Sequence, residues 1–87
     1  MPNFQYDPKK SLSNLKKHGI DFGQAQLLWE DPSLLEVKAR SEDEPRSLIV
    51  ARLNEHYCSA VVTYRDDEVR IISVRRSRTA EVELYEG

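Results

Sequence analysis

The sequence predicts an α+β domain in which two N-terminal helices pack on a four-stranded antiparallel sheet and a short helix ends the chain. Two observations carry that prediction. Up to Trp29 the apolar residues recur at helical spacing between helix-start and helix-stop signals, and from Leu34 onward the period changes to two. The alternating stretches are joined by short turns, which favours an antiparallel meander.

Asp7 followed by Pro8 opens the first helix, because the carboxylate accepts from backbone N–H groups left free in the first turn and proline suits the first helical position. It is expected over Pro8–His18, with Leu12 and Leu15 as a narrow apolar stripe, Lys16, Lys17 and His18 at the negative end of the dipole, and Gly19 as a left-handed cap. Asp21 opens the second helix with Gln24 at the capping-box position. Phe22, Ala25, Leu28 and Trp29 form its core face, and Asp31-Pro32 ends it. Leu35, Val37 and Ala39 then alternate with Glu36, Lys38 and Arg40 as a half-exposed strand. Ser41–Pro45 reads as an acidic turn and Arg46–Leu53 as a second strand with Leu48 and Val50 on one face. Asn54-Glu55 leads tightly into a third strand, Tyr57–Arg65, and Asp66–Glu68 connects it to a fourth, Val69–Arg76. Thr79 is the expected cap of a last helix reaching Tyr85, in which Val82 and Tyr85 stand three apart.

A chain of 87 residues is read as one domain over its whole length. Its 39% hydrophobic content argues for a folded protein, and its 32% charged content for a small core that leaves room for a stabilising partner. The opening MPNFQYDPKK has no apolar stretch behind its basic residues and no run approaches a membrane span, so a cytoplasmic protein is expected. Cys58 is the single cysteine, which excludes an internal disulfide and a cysteine-rich zinc site. It opens an apolar run and reads as a packing thiol.

The net charge is −2, but the charges are segregated. Lys9, Lys10, Lys16 and Lys17 cluster without an acid, as do Arg70, Arg75, Arg76 and Arg78, whereas Glu30 to Glu44 is rich in carboxylates. Two basic patches on an acidic molecule suit a local phosphate site and argue against broad coating of duplex nucleic acid. On charge alone, two solvated faces are the favoured reading.

Two motifs carry a family resemblance. The stretch Phe4-x-Tyr6-Asp7-Pro8-x-Lys10-x-x-x-Asn14-x-x-Lys17-His18-Gly19-x-x-Phe22 resembles the N-terminal signature of the BrnT toxins, and Thr63-x-Arg65 followed by Arg70-Ile71-Ile72-Ser73-Val74-Arg75-Arg76 resembles their C-terminal signature. Asp31-Pro32 and Arg46 fall between them where the pattern expects them. The resemblance implies a RelE-like fold, a ribonuclease that arrests translation when free, and neutralisation by a BrnA-like antitoxin carrying a DNA-binding domain, in a heterotetramer that represses its own operon. Departures from the pattern are Tyr6 for tryptophan, Val74 and Ser77 for alanine, and Ala51 for a frequent glycine. The last bears most on local geometry, since glycine permits a close backbone approach that alanine resists.

Metal-independent RNA cleavage needs help in deprotonating the 2′-hydroxyl, positive charge for the developing phosphorane and a proton for the leaving 5′-oxygen. The 2′-hydroxyl is the nucleophile, so the substrate is RNA and no cofactor or metal is called for. Arg75 and Arg76, adjacent on a strand, point to opposite faces, so one is available to clamp phosphate while the other meets the helix layer or a partner. Strict alternation puts Arg76 with Arg70, Ile72 and Val74, and Arg75 with Val69, Ile71 and Ser73. The structural alternative for such a strand-end arginine is an ion pair with Glu81. Arg65 is a further phosphate cation, or else part of a turn salt bridge with Asp66, Asp67 or Glu68. His18, the imidazole within the two basic segments, is the natural general acid or base, unless it merely bonds the last carbonyls of its helix. Lys17 beside it is a phosphate contact or, in place of His18, the residue that assists proton transfer, and Asn14, one turn upstream, reads as a structural hydrogen-bond partner. Arg46, Arg70 and Tyr64 are candidates for RNA binding, Tyr64 by stacking a base.

Two competing readings follow from the same residues. A catalytically inactive binding module, pairing only with a DNA-binding regulator, fits the mixed charge. A helix-turn-helix around Gly19 is disfavoured, because the following helix presents Phe22, Gln24, Gln26 and Trp29 and no Lys or Arg.

Overall fold

The computed structural model describes residues 2–39 and 44–87. The chain forms β1 (Asn3–Gln5), α1 (Pro8–His18), α2 (Phe22–Ala25) running into a 3-10 segment (Gln26–Glu30), β2 (Leu35–Ala39), β3 (Arg46–Leu53), β4 (His56–Arg65), β5 (Glu68–Arg76) and α3 (Thr79–Glu86). Among the described residues the sheet is five-stranded and mixed, in the order β1-β5-β4-β3-β2, with β1 parallel to β5 and every other pair antiparallel.

The expected architecture of two helices on a four-stranded antiparallel sheet is therefore corrected. The additional strand is three residues long, pairs Asn3–Gln5 with Glu68–Arg70, and is separated from its partner by all the other strands and the first two helices, so no hairpin signal announces it. What holds it is aromatic packing: Phe4 meets Trp29 edge-on at 4.9 Å and Tyr6 meets Phe22 at 5.6 Å. The second helix is a single α turn capped by Asp21 and Gln24, each bonding the other's backbone, and it tightens into 3-10 geometry before Asp31. Arg40 and most of the acidic Ser41–Pro45 turn lie outside the described residues.

α1 begins and ends as its sequence dictates, with Asp7 accepting from the Lys9 N–H and Gly19 at φ 75° donating to the Leu15 carbonyl. Its buried face is unexpected. Leu12 is 61% exposed and Leu15 38%, whereas Ser11 and Asn14 are buried. Ser11 Oγ accepts from the Phe22 N–H at the start of α2. Asn14 donates to the carbonyls of Ile20 at 2.7 Å and Val74 at 2.8 Å, and its Oδ1 accepts from the Val74 N–H at 3.2 Å. β1 covers the outer edge of β5 only as far as Arg70, so the Asn14 amide takes the place of a neighbouring strand at Val74 and satisfies backbone groups that burial would leave unpaired.

The core lies between α1, α2 and one face of the sheet, where Phe22, Ala25 and Leu28 pack on Ile49, Ala51, Ala60, Val62, Ile71 and Val74. Two-residue turns at Asn54-Glu55 and Asp66-Asp67 join the last three strands, each with its first residue in the left-handed region, at φ 58° and 54°, which Asn and Asp tolerate. Glu68 thus belongs to β5 and not to the turn. α3 crosses the opposite face. Its cap is Arg78, one residue before the expected Thr79, and the Arg78 N–H donates to Glu81. Tyr85 ties α3 to Asp31, whose carboxylate also accepts from the Arg52 and Ser33 N–H groups. Among the described residues no helix is long and apolar enough to cross a membrane.

Replacing Asn14 by leucine, which fits the apolar reading of this helix, should lower stability by about 3 kcal/mol in urea denaturation, because it orphans buried backbone groups. A loss below about 0.5 kcal/mol would show that the amide does not hold α1 to β5.

Candidate active site

A cleft of about 180 Å³ opens at one end of the sheet on the α1 face, between the C-terminal end of α1, the β3–β4 turn and the end of β5. His18, Gln24, Asn54, His56, Cys58 and Arg76 contribute to its walls. The Asn14–Val74 contact explains why two of these meet. His18 follows Asn14 by one helical turn on the same side of α1, and Arg76 follows Val74 by two residues on the same face of β5. His56 arrives from another direction, as the first residue after the tight turn that pairs it with Leu53.

Cys58 lies opposite Arg76 in the β4–β5 register and is 4% exposed. Burial pushes its thiol pKa up and the Arg76 charge pulls more weakly the other way, so this sulfur is a neutral floor beneath the arginine.

The two adjacent arginines have separate fates, and their faces differ from strict alternation. A register shift between Val61 and Val62 leaves Ile72 without a partner on β4, since Val61 pairs with Ser73 and Val62 with Ile71. This bulge reverses the in–out pattern, so Arg76 and Val74 share the core face with Ile71 and Val69, while Arg75 shares the α3 face with Ser73 and Arg70. Arg75 Nη1 and Nη2 each donate to Glu81 at 2.7 Å, the bidentate pairing expected as the structural alternative. Glu81 also accepts from Ser59 at 2.8 Å and from the Arg78 N–H. Arg75 chiefly, with those two donors, outweighs the effect of burial and holds the Glu81 carboxyl at about 2 against its ordinary 4.5. Arg75 thereby fastens α3 to the sheet and does not reach the cleft.

The remaining candidates lie elsewhere. Lys17 is exposed on α1 and is not part of the cleft wall. Arg65 sits seven residues along β4 from Cys58, about 23 Å at strand spacing, and pairs with Glu44 at 3.3 Å and not with an acid of its own turn. Tyr64 is 48% exposed and donates to Glu36 at 2.7 Å; burial first, then Glu36, pushes its phenol up to about 12. Arg46 and Arg70 flank Thr63 in the cross-strand register on the α3 face. His56 was not among the sequence candidates. The Asn54-Glu55 turn places it at a sheet end, but only the packing of α1 brings His18 to the same end.

A family model described as ribonuclease toxin, BrnT, of type II toxin-antitoxin system matches residues 6–81. No curated protein matches the chain.

The Arg75–Glu81 bridge gives a defined pH dependence. Because the folded-state pKa of Glu81 is depressed, its contribution is complete above about pH 4.5 and disappears as the pH falls towards 2. Thermal melts from pH 6 to pH 2 should show Glu81→Gln less stable than wild type at pH 6, by about 1.5 to 3 kcal/mol, with the difference shrinking on acidification. A difference independent of pH would remove the charged bridge as its cause.

Proposed function

Because the chain belongs to the BrnT family of ribonuclease toxins of type II toxin–antitoxin systems, we propose that it is a metal-independent endoribonuclease whose reaction takes place in the cleft beneath His18, His56 and Arg76. The observation that carries this reading is the convergence of a guanidinium and two imidazoles, from three separate elements, on one cleft while the neighbouring Arg75 is committed to Glu81.

In this reading an RNA phosphate lies against Arg76, whose fork suits two phosphate oxygens and offsets the charge that builds up on them in the phosphorane. One histidine takes the proton from the 2′-hydroxyl as its oxygen bonds to phosphorus. The other delivers a proton to the departing 5′-oxygen, leaving a 2′,3′-cyclic phosphate and a free 5′-hydroxyl. An imidazole can serve either role near neutral pH, and a pair sharing the work needs one neutral and one protonated ring. Cys58 excludes water from the floor, and Lys17 on the outer side of α1 adds to the field that draws RNA in. Arg65 and Arg75 are left out of the reacting group because each is engaged with a carboxylate away from the cleft.

The family also supplies the setting: a type II toxin has an antitoxin partner. We propose that the free protein arrests translation by cutting RNA in the cytoplasm, and that a BrnA-like antitoxin with a DNA-binding domain neutralises it in a heterotetramer. The convergent cleft supports an active enzyme over an inactive binding module.

The test is cleavage of a mixed RNA substrate by the protein purified free of its antitoxin, in the presence of a chelator. Arg76→Ala should lower kcat/KM by about 100-fold or more, and His18→Ala by a similar factor, with melting temperatures near that of wild type. Arg75→Ala should instead lower the melting temperature. Full activity in Arg76→Ala, or wild-type protein that cuts nothing under these conditions, would overturn the assignment.

A further inference from the structure

The α3 face of the sheet is only partly covered. At the end nearest the cleft α3 is bonded to Ser59 and Arg75, and Val50, opposite Ser59 in the register, is fully buried. The next two cross-strand rows lie beyond the residues that α3 engages. One runs Val37, Leu48, Val61 and Ser73, with its three aliphatic side chains half-exposed. The other runs Ala39, Arg46, Thr63 and Arg70. Directly opposed residues in such rows stand about 5 Å apart, so the Thr63 hydroxyl is bracketed by two arginines.

Thr63 itself is anomalous. It is 1% exposed, and its Oγ1 is the buried side-chain oxygen that finds no hydrogen-bond partner among the described residues. An unpaired buried hydroxyl costs stability, and the ion pairs among the described residues include neither Arg46 nor Arg70. A donor hydroxyl flanked in the register by an arginine on each neighbouring strand suits a carboxylate that draws the two side chains aside to reach it. The adjoining aliphatic row is suited to the apolar side chains of the same segment, as in the centre of a protein interface with charges at its rim.

We propose that this face docks the antitoxin, through a segment that lays apolar side chains on Val37, Leu48 and Val61 and places a carboxylate on Thr63, Arg46 and Arg70. The segment continues the layer that α3 begins. The proposal rests on membership in a toxin–antitoxin family and not on the assignment of the cleft residues, because the two lie on opposite faces of the sheet. A second RNA site is the less suitable use of this face: its open rows carry aliphatic side chains and no aromatic ring on which a base would stack. Tyr57, at the α3 end, is covered by Tyr85.

The experiment uses the purified protein, its cognate antitoxin and a single-stranded RNA oligonucleotide as separate binding probes. Leu48→Glu and Thr63→Val should weaken antitoxin binding by calorimetry, the first by about tenfold or more and the second by about threefold, while RNA cleavage by the free protein stays at the wild-type level. Thr63→Val keeps the shape of the side chain and guards against a folding artefact in Leu48→Glu, whose melt is measured alongside. Arg70→Glu should weaken the antitoxin at least as much as Leu48→Glu, and a charge-reversed antitoxin carrying lysine for its docking carboxylate should regain affinity for it. Unchanged antitoxin affinity in all three variants would overturn the proposal. So would loss of oligonucleotide binding with antitoxin affinity intact, which would make the face an RNA site. Loss of RNA cleavage through Arg76→Ala leaves these affinities untouched, so the two readings fail separately.

Discussion

The side chain of Asn14 does what a strand would otherwise do. By bonding both the N–H and the carbonyl of Val74, it closes the stretch of β5 that β1 does not reach, and its third bond to Ile20 sets the chain's path after Gly19. Much else depends on this contact. It places the C-terminal end of α1 over the sheet end, sets His18 across from Arg76, and lets α2 start where Phe22 can enter the core under the Ser11 hydroxyl. A hydrophobic contact between α1 and β5 would be non-directional and would leave the helix free to slide. Three hydrogen bonds to defined backbone atoms leave it one register.

Asp31 plays the corresponding part on the other side of the sheet. Its carboxylate takes the Arg52 N–H beyond the last residue of β3 that pairs with β2, the Ser33 N–H of its own turn and the Tyr85 hydroxyl of α3. With the Arg75–Glu81 bridge, this joins α3 to both the sheet and the 3-10 segment. The small aliphatic core is thus framed by polar anchors of high directionality, which is how a chain with 32% charged residues holds a single arrangement.

Local signals in the sequence were legible where local chemistry decides. Asp7-Pro8 and Gly19 bound α1, Asp21 and Gln24 bound α2, and Asn54 marks the β3–β4 turn, each through bonds within a few residues. What escaped has long-range causes. β1 has three residues and pairs with a strand far along the chain, so nothing beside it signals a fifth strand. Leu12 and Leu15 look like a core stripe by composition, yet the sheet edge selects Ser11 and Asn14, because an unpaired buried strand edge needs hydrogen bonds more than α1 needs to bury two leucines. The faces of Arg75 and Arg76 followed from strict alternation until one extra residue at Ile72 reversed them, and a bulge of that kind has no reliable sequence mark when no glycine accompanies it. The Arg75–Glu81 pairing is legible as an alternative because the residues are close in sequence; the place of His18 and His56 on one cleft is not, because it depends on how a helix crosses a sheet.

The two edge anchors also bear on how the protein avoids sticking to itself. Open strand edges offer unpaired N–H and carbonyl groups to any extended chain, and small sheet proteins aggregate through them. Here the exposed stretch of β5 is plugged at Val74 by an amide, the end of β3 is plugged at Arg52 by a carboxylate, and the outer strand β2 is five residues long and carries Glu36 and Lys38. Edge-to-edge growth is blunted on both sides, and a second chain is steered towards the faces of the sheet, where side chains and not backbone decide which partner is accepted.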